Sequence, residues 1–239
     1  MPLECRNDRL LKVRKINTLD NLWKELFINM GNIRAPITLD EKESDVFLNE
    51  LWYIPNSAKK HIKKLRSILK SEWFKIILDP KKHKSHYDGN EKTITVGVKN
   101  HSDDTSYFKL ANLNEKLDEK YVIWAMFAHE CSHHVVYKCH DYNEMWQLTN
   151  MFISYVRNSN KTLTKLSHWY ECWDKIKEDL TELIRMYINS PKQLKNHLRF
   201  LSKTWDISVL NEYNLLRISK KNSKIIFKLI STVVDKYIK

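Results

Sequence analysis

The chain has 239 residues, of which 42% are hydrophobic and 11% aromatic, enough for a buried core in one globular domain with or without a helical extension. Only three glycines and five prolines occur, which argues against a turn-rich β protein and favours a mostly helical one. The four cysteines form no CxxC pair, and we find neither the apolar core of a signal peptide nor a membrane-spanning run. We therefore expect a cytoplasmic protein with reduced thiols.

The formal net charge of +12 is carried mainly by lysine, and lysine doublets are spread along the whole chain. A nucleic-acid-binding surface usually concentrates basic residues on one face and interleaves aromatic side chains that stack on bases. A general enrichment in lysine gives the same net charge without any binding partner. The sequence therefore allows a nucleic-acid partner but does not favour one.

The N-terminal third is predicted to be helical and is followed by short strands. Apolar residues recur at helical spacing over residues 19–29 and again over residues 57–70. Two β-rich runs, residues 73–78 and 93–98, predict strands, and Tyr87-Asp88-Gly89-Asn90 between them is a turn signal. Strands thus precede the segment that carries the candidate chemistry.

Residues 129–133 read His-Glu-Cys-Ser-His, inside an apolar stretch from Tyr121 to Tyr137 without glycine or proline. The stretch predicts a buried helix of about 18 residues. On a helix, His129 and His133 lie one turn apart on the same face, so both imidazoles can bind one Zn²⁺. Glu130 can then act as general base on the water side of the metal. Burying this polar group costs free energy unless a metal pairs its members, so we prefer a zinc helix to a core helix with hydrogen-bonded histidines.

A catalytic zinc needs a third protein ligand and keeps one position for water. The motif, followed 45 residues after His133 by Glu178-Asp179-Leu180-Thr181-Glu182, resembles the HExxH zinc metallopeptidases of the gluzincin, thermolysin-like branch. This resemblance implies Glu178 as the third zinc ligand and Glu182 as a partner that hydrogen-bonds a ligand histidine. The family usually has aspartate at the second position, so Glu182 departs from its pattern. The alternative is that the polar stripe containing both glutamates is a solvated helix face.

Other third ligands stay open. His140, with an aromatic residue following at Trp146, is similar to the third histidine of zinc proteases that act on DNA–protein crosslinks. The compact form of that motif has its histidine at the position occupied here by Cys139. Cys139, Glu171 or the absence of a third ligand complete the alternatives.

Two residues of the motif region are expected to serve packing. His134 points roughly 100° away from the second motif histidine, so it cannot share the metal and is expected at the surface or in packing contacts. Cys131 is expected to be a small buried residue. The peptidase family also implies a tyrosine or histidine that stabilises the oxyanion, for which Tyr170, Tyr187 and His168 are unranked candidates.

Helices are predicted again after the motif, over residues 142–156 and 167–188 and from Pro191 onward, with basic amphipathic segments from residue 211. The sequence thus predicts a predominantly helical α+β protein. A zincin-like core with a small sheet and a central zinc helix would span residues 73–190, flanked by helical regions at 1–72 and 191–239. In zinc peptidases an edge strand beside the zinc helix can hold the substrate, so residues 93–98 are either that edge strand or an ordinary hairpin arm.

The resemblance implies hydrolysis of peptide bonds in an intracellular protein substrate, with Zn²⁺ as cofactor and Glu130 as catalytic residue. Two alternatives remain at this point. One is a basic nucleic-acid-associated or regulatory protein with a structural or vestigial zinc site. The other is a crosslink-type protease with a third histidine ligand. The oligomeric state is left open by the sequence.

Overall fold

The fold combines helices with one small sheet in the computed structural model, which describes residues 37–40, 44, 59–79, 85–97, 119–164, 172–204, 207–212 and 214–238. The helices are α1 (Lys59–Ser71), α2 (Glu119–Lys138), α3 (Asn143–Ser159), α4 (Cys172–Asn189), α5 (Pro191–Lys203), α6 (Ile207–Glu212) and α7 (Lys220–Tyr237). The strands are β1 (Ile37–Thr38), β2 (Lys75–Asp79), β3 (His86–Asp88) and β4 (Thr93–Gly97). The prediction of a predominantly helical α+β fold is confirmed. The predicted helix at residues 19–29 lies outside the described residues.

The four strands form one mixed sheet in the order β1-β2-β4-β3. β2 and β4 run parallel, whereas β1 pairs antiparallel with β2 and β3 antiparallel with β4. Because β4 has a hydrogen-bonded neighbour on each side, the interpretation of residues 93–98 as an edge strand is wrong. β3 is the edge strand on that side of the sheet.

The turn between β3 and β4 falls two residues later than the sequence indicates. Tyr87 and Asp88 belong to β3, and the chain turns over residues 89–92. The Asp88 carboxylate fixes this turn because it accepts hydrogen bonds from the backbone N–H groups of Asn90 (2.9 Å) and Glu91 (3.0 Å). The prediction placed the turn too early because Tyr-Asp-Gly-Asn combines a short strand end with the turn residues.

The helix that carries the motif lies between the sheet and α4. α2 packs against β3 and β4 on one side and against α4 on the other. Its length of 20 residues agrees with the predicted buried helix. Small side chains such as Ala125 and Ala128 are fully buried along it and allow its neighbours to approach closely.

The remaining helices close the core. α5 begins with Pro191 at its first position, as predicted, and α7 begins after Ser219, whose hydroxyl accepts a hydrogen bond from the Asn222 N–H (3.1 Å). α7 packs on α3, α4 and α5, and buried apolar residues from Leu39 to Ile238 form a single cluster. The division at residues 72/73 and 190/191 stays a prediction. None of the described helices has the length and apolar character needed to cross a membrane.

Candidate metal centre

Three side chains from α2 and α4 meet between these two helices. His129 and His133 project from α2, and Glu178 projects from α4. Nε2 of His129 lies 3.1 Å from one carboxylate oxygen of Glu178, and Nε2 of His133 lies 3.5 Å from the other. One ligand atom from each residue falls within 4.8 Å of the others, and all three side chains are nearly buried. This group could hold a metal ion.

The spacing of these atoms suits a small tetrahedral cation. Two ligands bound to one zinc at about 2.05 Å with a tetrahedral angle lie roughly 3.3 Å apart. The two nitrogen–oxygen distances of 3.1 and 3.5 Å, each to a different oxygen of Glu178, lie on either side of that value. Imidazole nitrogen with a carboxylate oxygen is also a donor set that zinc accepts. The donor set is therefore one that could hold a metal ion.

His129 is held in its orientation by a buried ion pair. Its Nδ1–H donates to a carboxylate oxygen of Glu182 (3.1 Å), which leaves Nε2 facing Glu178. Arg185 in turn donates from Nε and Nη2 to both oxygens of Glu182, at 2.8 and 2.7 Å. Burial opposes ionisation of Glu182, but the guanidinium of Arg185 outweighs it and lowers the pKa of that carboxyl to about 2. Glu182 is therefore a carboxylate that fixes the imidazole.

His133 is oriented by a hydroxyl group on the same facing helix. Oγ1 of Thr181 lies 3.1 Å from Nδ1 of His133. Burial lowers the pKa of His133 to about 2, so its imidazole is neutral. When Nδ1 carries the proton and donates to Thr181, Nε2 presents its lone pair toward Glu178. Both motif histidines thus turn the same nitrogen toward the same carboxylate.

The charge on His129 depends on whether a metal is bound. Burial lowers the pKa of this imidazole, but the hydrogen bonds to Glu178 and Glu182 outweigh it and raise the pKa to about 10. Without a metal, His129 is therefore a cation between two carboxylates. Since a metal binds only the deprotonated nitrogen, a bound cation would replace this proton.

Glu130 lies buried beside the group, next to the sheet edge. The backbone N–H of Tyr87 in β3 donates a hydrogen bond to its carboxylate. Burial raises the pKa of Glu130 to about 7, although the nearby positive charges of His129 and Lys177 act in the opposite direction. A carboxyl group with a pKa near neutrality is suited to accept a proton and release it again.

Tyr87 also connects β3 to the histidines of α2. Its hydroxyl hydrogen-bonds Nδ1 of His134 (2.9 Å), and its ring stacks on His133 with 6.3 Å between ring centroids. Nε2 of His134 lies 3.5 Å from a carboxylate oxygen of Glu72. A Cβ atom at Gly89 would meet the Tyr87 hydroxyl at 2.8 Å, so only glycine leaves room for this phenol. His134 is a buried packing histidine, in agreement with the prediction.

No protein-family model, curated protein or solved structure matches this chain.

The glutamates on α4 do not form a solvated stripe. Glu178, Glu182 and Arg185 are buried, and of the described residues in that stripe only Asp174 is fully exposed. The stripe faces α2 over its second half, because α4 packs along α2 there. The solvated-face alternative is wrong for these three residues.

The alternative with a third histidine is not supported by the structure. The side chain of His140 is 68% exposed, and its Nδ1 is hydrogen-bonded to the Tyr137 carbonyl (2.7 Å) rather than directed at the motif. Trp146 is 65% exposed, so it is not an aromatic residue packed beneath the motif. Cys139 is buried, and within the described ranges it belongs to no group that could hold a metal. Cys131 is buried as expected.

Of the three candidates for stabilising an oxyanion, only Tyr187 lies among the described residues. Tyr170 and His168 lie outside the described residues, as does the alternative ligand Glu171. Tyr187 follows Glu178 by nine residues, which places it roughly 13 Å farther along the helix and on its opposite side. Its hydroxyl donates to Asp235 (3.2 Å) where α4 packs on α7. Tyr187 therefore serves helix packing.

Sequence reasoning missed Thr181, Arg185 and Tyr87 as parts of the centre. The first two follow Glu178 by three and seven residues and so share its helix face, which is a signal that the sequence does contain. Tyr87 has no such signal, because its position depends on how β3 pairs with β4 and how the sheet packs on α2.

Proposed function

We propose that this protein is a zinc-dependent peptidase in which His129, His133 and Glu178 bind the metal and Glu130 is the general base. One observation carries the proposal. Each motif histidine is held at Nδ1 by a side chain of α4, so that the two Nε2 atoms and one carboxylate converge on a common point. Histidines that only pack in a core have no need of such convergence, whereas metal ligands are regularly oriented in this way.

The residues around the site support hydrolysis. A zinc ion bound there would polarise the scissile carbonyl and lower the pKa of a coordinated water. Glu130 would take the proton from the attacking water and pass it to the leaving amine. The N–H of Tyr87 holds the Glu130 carboxylate in place, and three protein ligands leave one position for water and substrate.

We place the substrate along β3, not β4. β3 is the sheet edge nearest Glu130, and an extended peptide that paired with it would pass the general base. Pairing there would be short, because β3 has three residues and the N–H of Tyr87 is already bonded to Glu130. Recognition of the substrate would therefore depend on side chains more than on strand addition.

Zinc content and hydrolysis, measured on four proteins purified side by side, test the proposal. The proteins are the wild type, Glu178→Gln, Glu130→Gln and Asp174→Asn, the last being an exposed control on the same helix. We expect about one zinc per chain in all except Glu178→Gln, where the loss of a charged ligand weakens binding. Hydrolysis of a peptide library, followed by mass spectrometry, should occur in the wild type and the control but not in Glu130→Gln.

Two results would contradict the assignment, provided that circular dichroism shows each variant folded. Zinc retained in Glu178→Gln would remove that residue from the ligand set. Turnover retained in Glu130→Gln would exclude it as general base. Zinc bound without hydrolysis of any peptide in the wild type would favour a structural or vestigial metal site.

A further inference from the structure

Two stretches of the chain are strongly basic, residues 59–84 with a net charge of +8 and residues 191–234. Residues 191–234 contain nine lysines and arginines and two acidic residues, a net charge of +7 out of +12 for the whole protein. The sequence alone does not show whether these cations share a surface, since helices can distribute them around their circumference.

The structure gathers most of them on two helix faces. We call the exposed cations of α5 and α7 the basic face. Its members are Lys192, Lys195, Arg199 and Lys203 on α5 and Lys220, Lys221, Lys224 and Lys228 on α7. On each helix they recur every three or four residues, which places them along one side. The opposite sides are apolar and buried, with Leu194 and Leu198 on α5 and Ile226 and Ile230 on α7.

The two helices that carry the basic face lie side by side. α5 packs against α7, and the N–H of Ile218, just before α7, donates to the carbonyl of Leu201 near the end of α5 (3.3 Å). Tyr187, just before α5, contacts Phe227 near the middle of α7 and Asp235 near its end. The helices therefore run antiparallel, with axes about 8–10 Å apart. The basic face measures roughly 16 Å along α5, from the rise of 1.5 Å per residue.

The eight cations of the basic face differ in their surroundings from Lys138 and Lys236. Among the described residues, none of the eight cations takes part in an ion pair, whereas Lys138 pairs with Glu72 and Lys236 with Glu144. Neither helix has an acidic residue in its first turn. Lys192 and Lys220 instead place a positive charge at the positive end of each helix dipole, which is unfavourable. Like charges so placed repel one another and oppose the dipole, and an external polyanion would relieve both effects.

We infer that the basic face binds a nucleic-acid duplex through its phosphate backbone, without reading the base sequence. Rows of lysine on a helical surface match the regular negative charge of a duplex. A single strand is a poorer match, because the described residues of α5 and α7 include no exposed aromatic side chain on which bases could stack. An anionic membrane is also a poorer match, because the apolar sides of both helices are buried in the core and unavailable for insertion.

The inference does not depend on the proposed peptidase activity, since no residue of the basic face belongs to the metal centre. Binding through the basic face would hold the chain on nucleic acid and so restrict any reaction of the protein to molecules found there.

Fluorescence anisotropy with a labelled duplex DNA of mixed sequence tests the inference on the full chain across a salt series. The test variant is Lys195→Gln/Lys221→Gln/Lys224→Gln, which removes three charges of the basic face. The control is Lys63→Gln/Lys75→Gln/Lys92→Gln, which removes three exposed charges from α1, the start of β2 and the turn before β4. Both variants have the same net charge, and circular dichroism and thermal melting establish that both are folded.

We expect the wild type and the control to bind with similar affinity and the test variant at least tenfold more weakly. Each phosphate contact contributes about 0.9 to the slope of log K against log salt, so the slope should fall by about 2.7 in the test variant only. An equal loss in both triple variants would mean that net charge alone governs binding and would overturn the inference. So would a wild type that fails to bind duplex DNA or RNA at low salt, or one that binds only vesicles containing phosphatidylserine.

Discussion

The hydrogen bond between His129 and Glu182 permits a quantitative prediction for the variant Glu182→Gln. Glutamine keeps the size of the side chain but places an amide where both carboxylate oxygens now accept hydrogen bonds from His129 and Arg185. Three N–H groups donate to this carboxylate, two of them to the same oxygen, so the amide can accept at most two of these bonds, carries no negative charge and turns its own N–H₂ toward a donor. Loss of a buried carboxylate partner of a ligand histidine weakens metal binding by roughly 10- to 100-fold, or about 1.4–2.7 kcal/mol.

The neutral contact on the other motif histidine gives an internal comparison. Thr181→Val removes a hydroxyl that makes one uncharged hydrogen bond to His133. Such a bond contributes about 0.5–1.5 kcal/mol, so zinc affinity should fall by roughly 2- to 13-fold. The expected order of zinc affinity is therefore wild type, then Thr181→Val, then Glu182→Gln. Asp174→Asn removes an equal charge from an exposed position of the same helix and should leave the affinity unchanged.

Competition with a chelator of known zinc affinity, at fixed pH, measures all four proteins on one scale. Circular dichroism must show that each is folded before affinities are compared. An affinity of Glu182→Gln within twofold of the wild type would refute the reasoning, because it would mean that the metal site does not depend on the orientation of His129. A larger effect of Thr181→Val than of Glu182→Gln would refute the ranking by charge.

Three further predictions concern stability. Arg185→Met leaves the Glu182 carboxylate buried without its guanidinium and should lower the free energy of unfolding by about 3–5 kcal/mol in urea titrations, and a loss below 1 kcal/mol would contradict the buried ion pair. Tyr87→Phe removes the partner of His134 Nδ1 and should cost about 1–3 kcal/mol with the zinc content preserved, so that loss of zinc would argue against a purely structural contact. Gly89→Ala should lower the free energy of unfolding by about 1–3 kcal/mol in the wild type. The loss should be smaller in Tyr87→Phe, because that variant lacks the hydroxyl that the new methyl group meets. Equal losses in both backgrounds would exclude the clash.

The elements that depend on local pattern were predictable from the sequence. The motif helix, the helix that begins at Pro191 and the predominance of helices agree with the described structure, because helical periodicity and the position of proline are local signals. The spacing of His129 and His133 places them on one face for the same reason. Glu178 came from the resemblance to a family motif, and the structure brings it to these histidines.

The parts that depend on long-range pairing were not predictable. The position of β4 inside the sheet follows from hydrogen bonds to β2 and β3, which no local pattern specifies. β3 is three residues long, so its strand signal was indistinguishable from the turn that follows. The contact of Tyr87 with Glu130 and His134 depends on that pairing and on the packing of the sheet against α2.

The origin of the three ligand groups on two helices has a consequence for the lifetime of the protein in a cell. His133 and Glu178 are separated by 45 residues, so a cation shared between α2 and α4 would act as a cross-link that the unfolded chain lacks. At a free metal concentration 100 times the dissociation constant, this linkage is worth about 2.7 kcal/mol of folding free energy. If the shared cation is zinc, as proposed, a cell short of zinc would hold a larger unfolded fraction of this protein and degrade it faster, so that metal supply would regulate its abundance as well as its chemistry.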